Sequence, residues 1–79
     1  MFYCVYILQC NDLSYYTGCT ENLTKRLAAH NKGLVKSTKD KLPVKIITYT
    51  AFTDKSKAFR FEKYLKSGSG RAFAQKRLR

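Results

Sequence analysis

The segment from Cys4 to Gly18 decides most of what this chain can fold into. Phe2 to Leu8 is a run of aromatic, β-branched and apolar side chains, short for a helix, and it leads into Asn11-Asp12, which is turn chemistry. Tyr15 to Thr20 then returns with Tyr, Tyr, Thr, Gly, Cys and Thr, again strand-forming. An odd-length loop centred on Asp12 would pair Tyr6 with Gly18 and Leu8 with Tyr16. Because side chains alternate along a strand, Tyr6, Leu8, Tyr16 and Gly18 would then share a face, the tyrosines being diagonal neighbours roughly 7–8 Å apart. Gly18 would leave the space above Tyr6 open. An even-length loop would put the two tyrosines on opposite faces.

A chain of 79 residues supports one domain, residues 1–79, with a single small core that buries roughly 60–65% of the unfolded surface. Sixteen Lys and Arg against five Asp and Glu give a formal charge of +11. Such an imbalance repels itself unless an anion answers it, and a polyanion is the natural partner. A plain solubilising surface would not need so one-sided a balance. Met1 to Cys10 is apolar but has no basic leader, and it ends well short of the ~20 residues that span a bilayer. Neither secretion nor membrane insertion is expected, and the chain reads as cytoplasmic. Cys4, Cys10 and Cys19 are an odd count without C-x-x-C spacing, which suits reduced thiols. A zinc site built from them and His30 is disfavoured, since thiols on strands diverge.

After the hairpin, Thr20 or Asn22 can cap a helix whose first turn carries Glu21, with Leu23, Leu27 and His30 on one face and Gly33 as its stop. Arg26 and His30, four apart, stand about one turn from each other, ~6 Å between them. Lys36, Ser37, Thr38, Lys39 and Lys41 make a loop fit to lie along a phosphate backbone, although a solvated connector looks the same. Pro43 opens a third strand, Val44 to Phe52. Thr53 or Asp54 caps the next helix, to about Ser67, with the apolar stripe Ala58, Phe61 and Leu65. Glu62 lies about 40° from Ala58 and about 60° from Leu65, on or beside that stripe, and Lys66 at i+4 offers it a surface ion pair. Gly68-Ser69-Gly70 ends this helix, and Ser69 can cap a last one, Arg71 to Leu78, with Phe73 and Leu78 inward and Arg71, Lys76, Arg77 and Arg79 on the basic side. The order β-β-α-β-α-α predicts an α+β fold: a small three-stranded, mainly antiparallel sheet flanked by helices. On these grounds alone Tyr6 and Tyr16 read as ordinary sheet aromatics rather than as a site, and Arg26 and His30 can be a solvent-facing pair with His30 closing the helix stripe.

Val5-Tyr6, Tyr16-Thr17-Gly18, Arg26-Leu27-x-x-His30-Asn31-x-Gly33, Pro43 and Arg60-Phe61-Glu62-Lys63-x-Leu65-Lys66 together resemble the GIY-YIG nuclease superfamily. Lys66-Ser67-Gly68-Ser69-Gly70-Arg71 resembles its small stand-alone bacterial members. The resemblance implies a metal-dependent endonuclease using one divalent cation, Mg²⁺ or Mn²⁺. Glu62 would hold the metal, Arg26 would face the scissile phosphate, Tyr6 would be the base acting on the attacking water, and Tyr16 and His30 would assist. Cys4 replaces the first motif's glycine and Thr17 the middle isoleucine of the second. Ala74, next to Gln75, stands about where several family nucleases carry an asparagine.

The residue types suit the chemistry. Phosphodiester hydrolysis needs an in-line water, stabilised phosphoryl oxygens and help for the departing oxygen. Arginine offers several N–H donors and never loses its charge. A single carboxylate suits a metal that keeps most of its waters and takes phosphate as a ligand. A phenol is a poor base at neutral pH unless nearby cations favour its ionisation, with Lys25, Lys36 and the metal as candidates. The expected function is a DNA endonuclease of low sequence specificity, of the kind used in DNA repair or processing, with RNA also open as substrate. Phosphate contacts are expected from Lys25, Lys36, Thr38, Lys39 and Arg71. The alternatives are a catalytically inactive nucleic-acid-binding module with the same fold and a basic protein of a larger nucleoprotein assembly.

Overall fold

Strand β1 (Tyr3–Gln9) pairs antiparallel with β2 (Tyr15–Thr20) on one side and with β3 (Lys45–Phe52) on the other, giving the order β2-β1-β3. The computed structural model describes residues 1–79. Helices cover both faces of β1, which explains why its apolar run does not alternate: Val5, Tyr6, Ile7 and Leu8 are all buried. Tyr6 faces Gly18 and Leu8 faces Tyr16, with Gln9 opposite Tyr15, so the connecting loop is odd in length, the alternative that puts both tyrosines on one face. That loop closes on itself. The Cys10 amide donates to the Ser14 carbonyl at 2.8 Å, and Asp12 Oδ1 accepts from the Ser14 amide at 3.0 Å and its hydroxyl at 2.5 Å. Those two bonds, hydroxyl first, hold the Asp12 carboxyl below its ordinary range.

Helix α1 (Leu23–Asn31) starts after Asn22, whose Oδ1 accepts from the Lys25 amide at 3.0 Å. Glu21 therefore precedes the cap and does not lie in the first turn, correcting the sequence expectation. Gly33, at φ 76°, ends the helix in the left-handed region that glycine enters freely. Helix α2 (Lys55–Leu65) is capped by Asp54, which accepts from the amides of Ser56 and Lys57. Helix α3 (Gly68–Arg77) is capped by Ser67, not Ser69, so that Gly68-Ser69-Gly70 is its first turn and not a break. Gly70 is buried there because a Cβ would run into the Tyr64 carbonyl.

Two apolar layers result. Val5 and Ile7 meet Ala58, Leu65 and Ala74 from α2 and α3, with Phe61, Cys19 and Leu78 alongside. On the opposite face Tyr6, Leu8, Cys10 and Val44 gather Tyr16 and, from α1, Leu23 and Leu27. Each fully buried aliphatic side chain contributes about 1.5–3 kcal/mol. Phe73, expected inward, is 37% exposed and lies against Tyr64, while Ala74 takes the inward position and Leu78 packs inward as expected. No helix is long and apolar enough to cross a membrane.

Candidate active site at the β2 edge

Tyr6 is anchored mid-strand in β1 and points toward α1. A Cβ at Gly18 would lie 2.5 Å from Tyr6 Oη and 2.6 Å from Cζ. The space above Gly18 is thus filled by the phenol rather than left open, and glycine is required because no side chain fits beneath it. Tyr16 lies beside Tyr6 with ring centroids 6.2 Å apart, and the His30 ring closes the group at 5.8 Å from Tyr6 and 5.0 Å from Tyr16. Arg26 reaches the same phenol, its Nε donating to Tyr6 Oη at 3.4 Å. Positions 26 and 30 fall on one side of α1 because four residues make about one helical turn.

The hydrogen bonds assign the protons. Burial is the main force that lowers the His30 pKa, the Arg26 charge adding to it, so the imidazole is neutral and one ring nitrogen must accept. Tyr6 Oη lies 2.9 Å from His30 Nε2, and His30 Nδ1 lies 2.8 Å from Thr38 Oγ1. With the Thr38 hydroxyl donating to the Val35 carbonyl, 3.5 Å away, its oxygen is left to accept from Nδ1–H, and in that tautomer Nε2 accepts the Tyr6 proton. The result is a directed chain from Tyr6 through His30 and Thr38 to the backbone, with Tyr6, His30 and Thr38 each at most 1% exposed. Burial pushes the Tyr6 pKa up, and the Arg26 hydrogen bond opposes it without winning. The cation acting on the phenol is Arg26, not Lys25 or Lys36, and the phenol is un-ionised. In return, the bond to Tyr6 holds Arg26 charged, against its own burial.

Glu62 arrives from the other layer. It lies on α2, which packs on the Val5–Ile7 face, whereas Tyr6 and α1 belong to the opposite face, so Glu62 makes no hydrogen bond to the tyrosines, Arg26 or His30 and acts on Tyr6 through its charge alone. Its negative charge raises the Cys19 pKa, after burial, and is also felt at Tyr6. The side chain is 22% exposed and accepts from Lys66 Nζ at 3.1 Å, the surface pair foreseen in the sequence. No group of three or more His, Cys, Asp or Glu side chains converges anywhere in the molecule.

The profile of the GIY-YIG catalytic domain matches residues 2–77. The chain belongs to this family. A UPF0213 protein of Clostridium perfringens is 48% identical over 63 residues, 78% of this chain and 68% of that protein. The UPF0213 protein YsiG of Lactococcus lactis is 46% identical over 65 residues, 81% of this chain and 62% of its own length. The solution NMR structure of the UPF0213 protein BH0048 from Bacillus halodurans superposes with a TM-score of 0.61 at 37% identity, covering 95% of this chain and 81% of that one. The chain thus spans about two thirds of the length of the first two relatives.

GIY-YIG nucleases act on nucleic acid and typically use a divalent metal, which sets a test for Glu62. One part-exposed carboxylate, already drawing a cation from Lys66, fits a hard ion that keeps its waters and takes a phosphate oxygen, but not a cage of protein ligands. Among the residues expected to touch phosphate, Lys25, Lys36, Lys39 and Arg71 are exposed. Thr38 is not. It is 0% exposed and committed to His30, so its expected place on the nucleic acid is withdrawn. The tight turn at 35–40, closed by the Thr38 and Lys39 amides on the Val35 carbonyl, swings Thr38 inward while the lysines stay outside. Sequence reasoning missed this role because the partners lie eight positions apart, across the end of α1 and the turn that follows it. Relative to the family motifs, Ala74 is core, packed with Val5 and Leu65. A polar asparagine there would need a buried partner.

Proposed function

We propose that this chain is a divalent-metal-dependent endonuclease that hydrolyses phosphodiester bonds in DNA with low sequence specificity, in DNA repair or processing. The observation that carries this is the pairing of Tyr6 with a neutral, buried histidine whose free lone pair faces the phenol. A phenol whose pKa is raised cannot wait as phenolate. It can, however, pass its proton to His30 Nε2 while taking one from the attacking water, so that charge never accumulates on the ring. The Nδ1–H bond to Thr38 holds the imidazole in the tautomer this requires. Arg26 has two roles in sequence. It caps the phenol while the site is empty, and it turns to the phosphoryl oxygens when substrate enters, uncovering Tyr6 to water. Tyr16 walls the pocket against His30. Glu62 would hold the metal in place of Lys66, and the ion would supply charge for the leaving oxygen. Lys25, Lys36, Lys39 and Arg71 add phosphate contacts that carry no base information.

The test is supercoiled plasmid incubated with the protein in Mg²⁺ or Mn²⁺, beside EDTA and Glu62→Ala. Nicking confined to the metal lanes and lost in the variant is the expected result. Gel retardation with no nicking, on linear and branched DNA as well, would sink the enzyme and leave the second reading, a nucleic-acid-binding module. Two observations favour that second reading: Tyr6 is only 1% exposed and Ala74 belongs to the core.

A further inference from the structure

Beside the catalytic group, on the outer side of Tyr16, the β2 edge and the junction of α2 with α3 enclose a notch of about 260 Å³ lined by Tyr15, Tyr16, Thr17, Leu65, Lys66, Arg71 and Arg79. Three of these have cationic side chains and none has an acidic one. Arg71 and Arg79 have no carboxylate within ion-pair reach; Lys66 alone has one, Glu62. The Arg79 guanidinium lies over the Tyr15 ring, 4.3 Å from its centroid, which fixes the plane of the fork. Its Nε is buried and has no hydrogen-bond partner. A native fold rarely leaves a buried N–H unmet unless a ligand or ordered water completes it. The terminal N–H groups of the same guanidinium are the donors that a phosphate in the notch would meet.

The notch is also built by the sequence rather than left over by it. Ser67 caps α3 through the Gly70 amide, and Gly70 lets the first turn of α3 close onto the Tyr64 carbonyl. That contact sets Arg71 beside Lys66 across a single tight junction. The Lys66-Ser67-Gly68-Ser69-Gly70-Arg71 run thereby acquires a use that the catalytic group does not explain. Tyr16 forms one wall of the notch and stacks edge-on to His30 on its other side, so the two sites share a partition.

We propose that Lys66, Arg71 and Arg79, with the Tyr15 ring beneath Arg79, form a second phosphate site that holds a backbone phosphate of the nucleic-acid strand neighbouring the one at Arg26. This rests on the endonuclease reading for the meaning of the Arg26 site, but binding alone tests it.

The experiment is fluorescence anisotropy of a labelled oligonucleotide titrated with the full chain in EDTA, so that no cleavage occurs, over a range of salt. The proteins are wild type, Arg71→Gln, Arg71→Gln/Arg79→Gln, and Lys57→Gln as a control cation on the exposed face of α2. The slope of log affinity on log salt should become shallower by roughly 0.7–0.9 for the single and about twice that for the double variant. A second arm replaces one phosphate at a time by an uncharged methylphosphonate. Wild type and Lys57→Gln should lose affinity at one further position beside the Arg26-dependent one, and the double variant should be indifferent there. Unchanged slope for both arginine variants, or a methylphosphonate pattern the double variant shares with wild type, overturns the site. Arg71→Gln alone decides the matter if the double variant unfolds, since Arg71 is exposed. If plasmid is never nicked but the slopes and pattern shift as expected, the endonuclease reading fails and the phosphate site stands.

Discussion

Burial holds His30 neutral, and this gives one side chain two measurable consequences. The folded chain protonates His30 less readily than the unfolded chain does at its ordinary value of 6.5, because burial and then Arg26 disfavour the cation. The unfolded state therefore takes up more protons as pH falls. Stability from this group is complete above about pH 6.5 and drains away as pH drops through that value toward the lower folded pKa. Asp12, whose carboxyl is held low by Ser14, loses its contribution only at more acid pH, so the windows separate. Thermal melts between pH 7.5 and 5 should show a falling midpoint in wild type and a flatter curve in His30→Gln; parallel curves would refute the assignment. Thr38→Val keeps the side chain's shape but orphans the buried Nδ1–H, a loss of about 1–3 kcal/mol. If His30 relays the Tyr6 proton, the same change should lower kcat of nicking tenfold or more, within the ~10²–10⁴ that positioned acid–base groups provide. Thr38→Ser, which retains the acceptor, should restore most of it. Equal nicking by the Val and Ser variants would remove the relay.

Two glycines separated by one residue illustrate how an element's sequence preference is overruled by its packing. In a helix interior alanine is favoured over glycine by about 0.8–1 kcal/mol. Gly68→Ala meets nothing within 4 Å and should be neutral or mildly stabilising. Gly70→Ala collides with the Tyr64 carbonyl, a backbone group that cannot rotate away, and overpacking of this kind costs roughly 1–3 kcal/mol. Urea melts should therefore give opposite signs for the two, and a stabilised Gly70→Ala would mean that α3 does not dock as described. In the hairpin, Leu13 adopts φ 69° while 71% exposed, so it bears left-handed strain without packing in return. Leu13→Asn should raise stability by about 0.5–1 kcal/mol, read as a higher urea midpoint at unchanged slope. The same contrast explains what could be read in advance. The hairpin, the Gly33 stop and the two helix caps depend on neighbours in sequence and were legible from it, though the loop parity and the choice of Asn22 over Thr20 and Asp54 over Thr53 were not. The Ser67 cap, the inward turn of Ala74 and the inward Thr38 depend on contacts between elements, which periodicity does not encode. Glu62 was placed correctly beside its apolar stripe, but no wheel shows that α2 and α1 lie on opposite faces of the sheet.

The whole molecule is a slab of 29 × 29 × 17 Å carrying a net +11, and its one ion pair is Lys66 with Glu62. At 0.01 M salt the screening length is about 30 Å, as long as the slab itself, so every unpaired cation repels every other. At 0.15 M it is about 8 Å and only neighbours interact. Melting temperature should therefore rise as sodium chloride is added from 10 to 150 mM, the opposite of what a fold held by surface ion pairs would do. A short DNA duplex in EDTA should raise it further at low salt, since a ligand present at 100 times its Kd adds about 2.7 kcal/mol. For a domain of this size that is on the order of 10–20 °C. The increment should shrink as salt rises, because the same ions that relieve self-repulsion also weaken the phosphate contacts. A DNA-induced shift that survived 0.5 M salt would show that binding does not come mainly from phosphate. No shift at any salt would remove nucleic acid as the partner that the charge calls for.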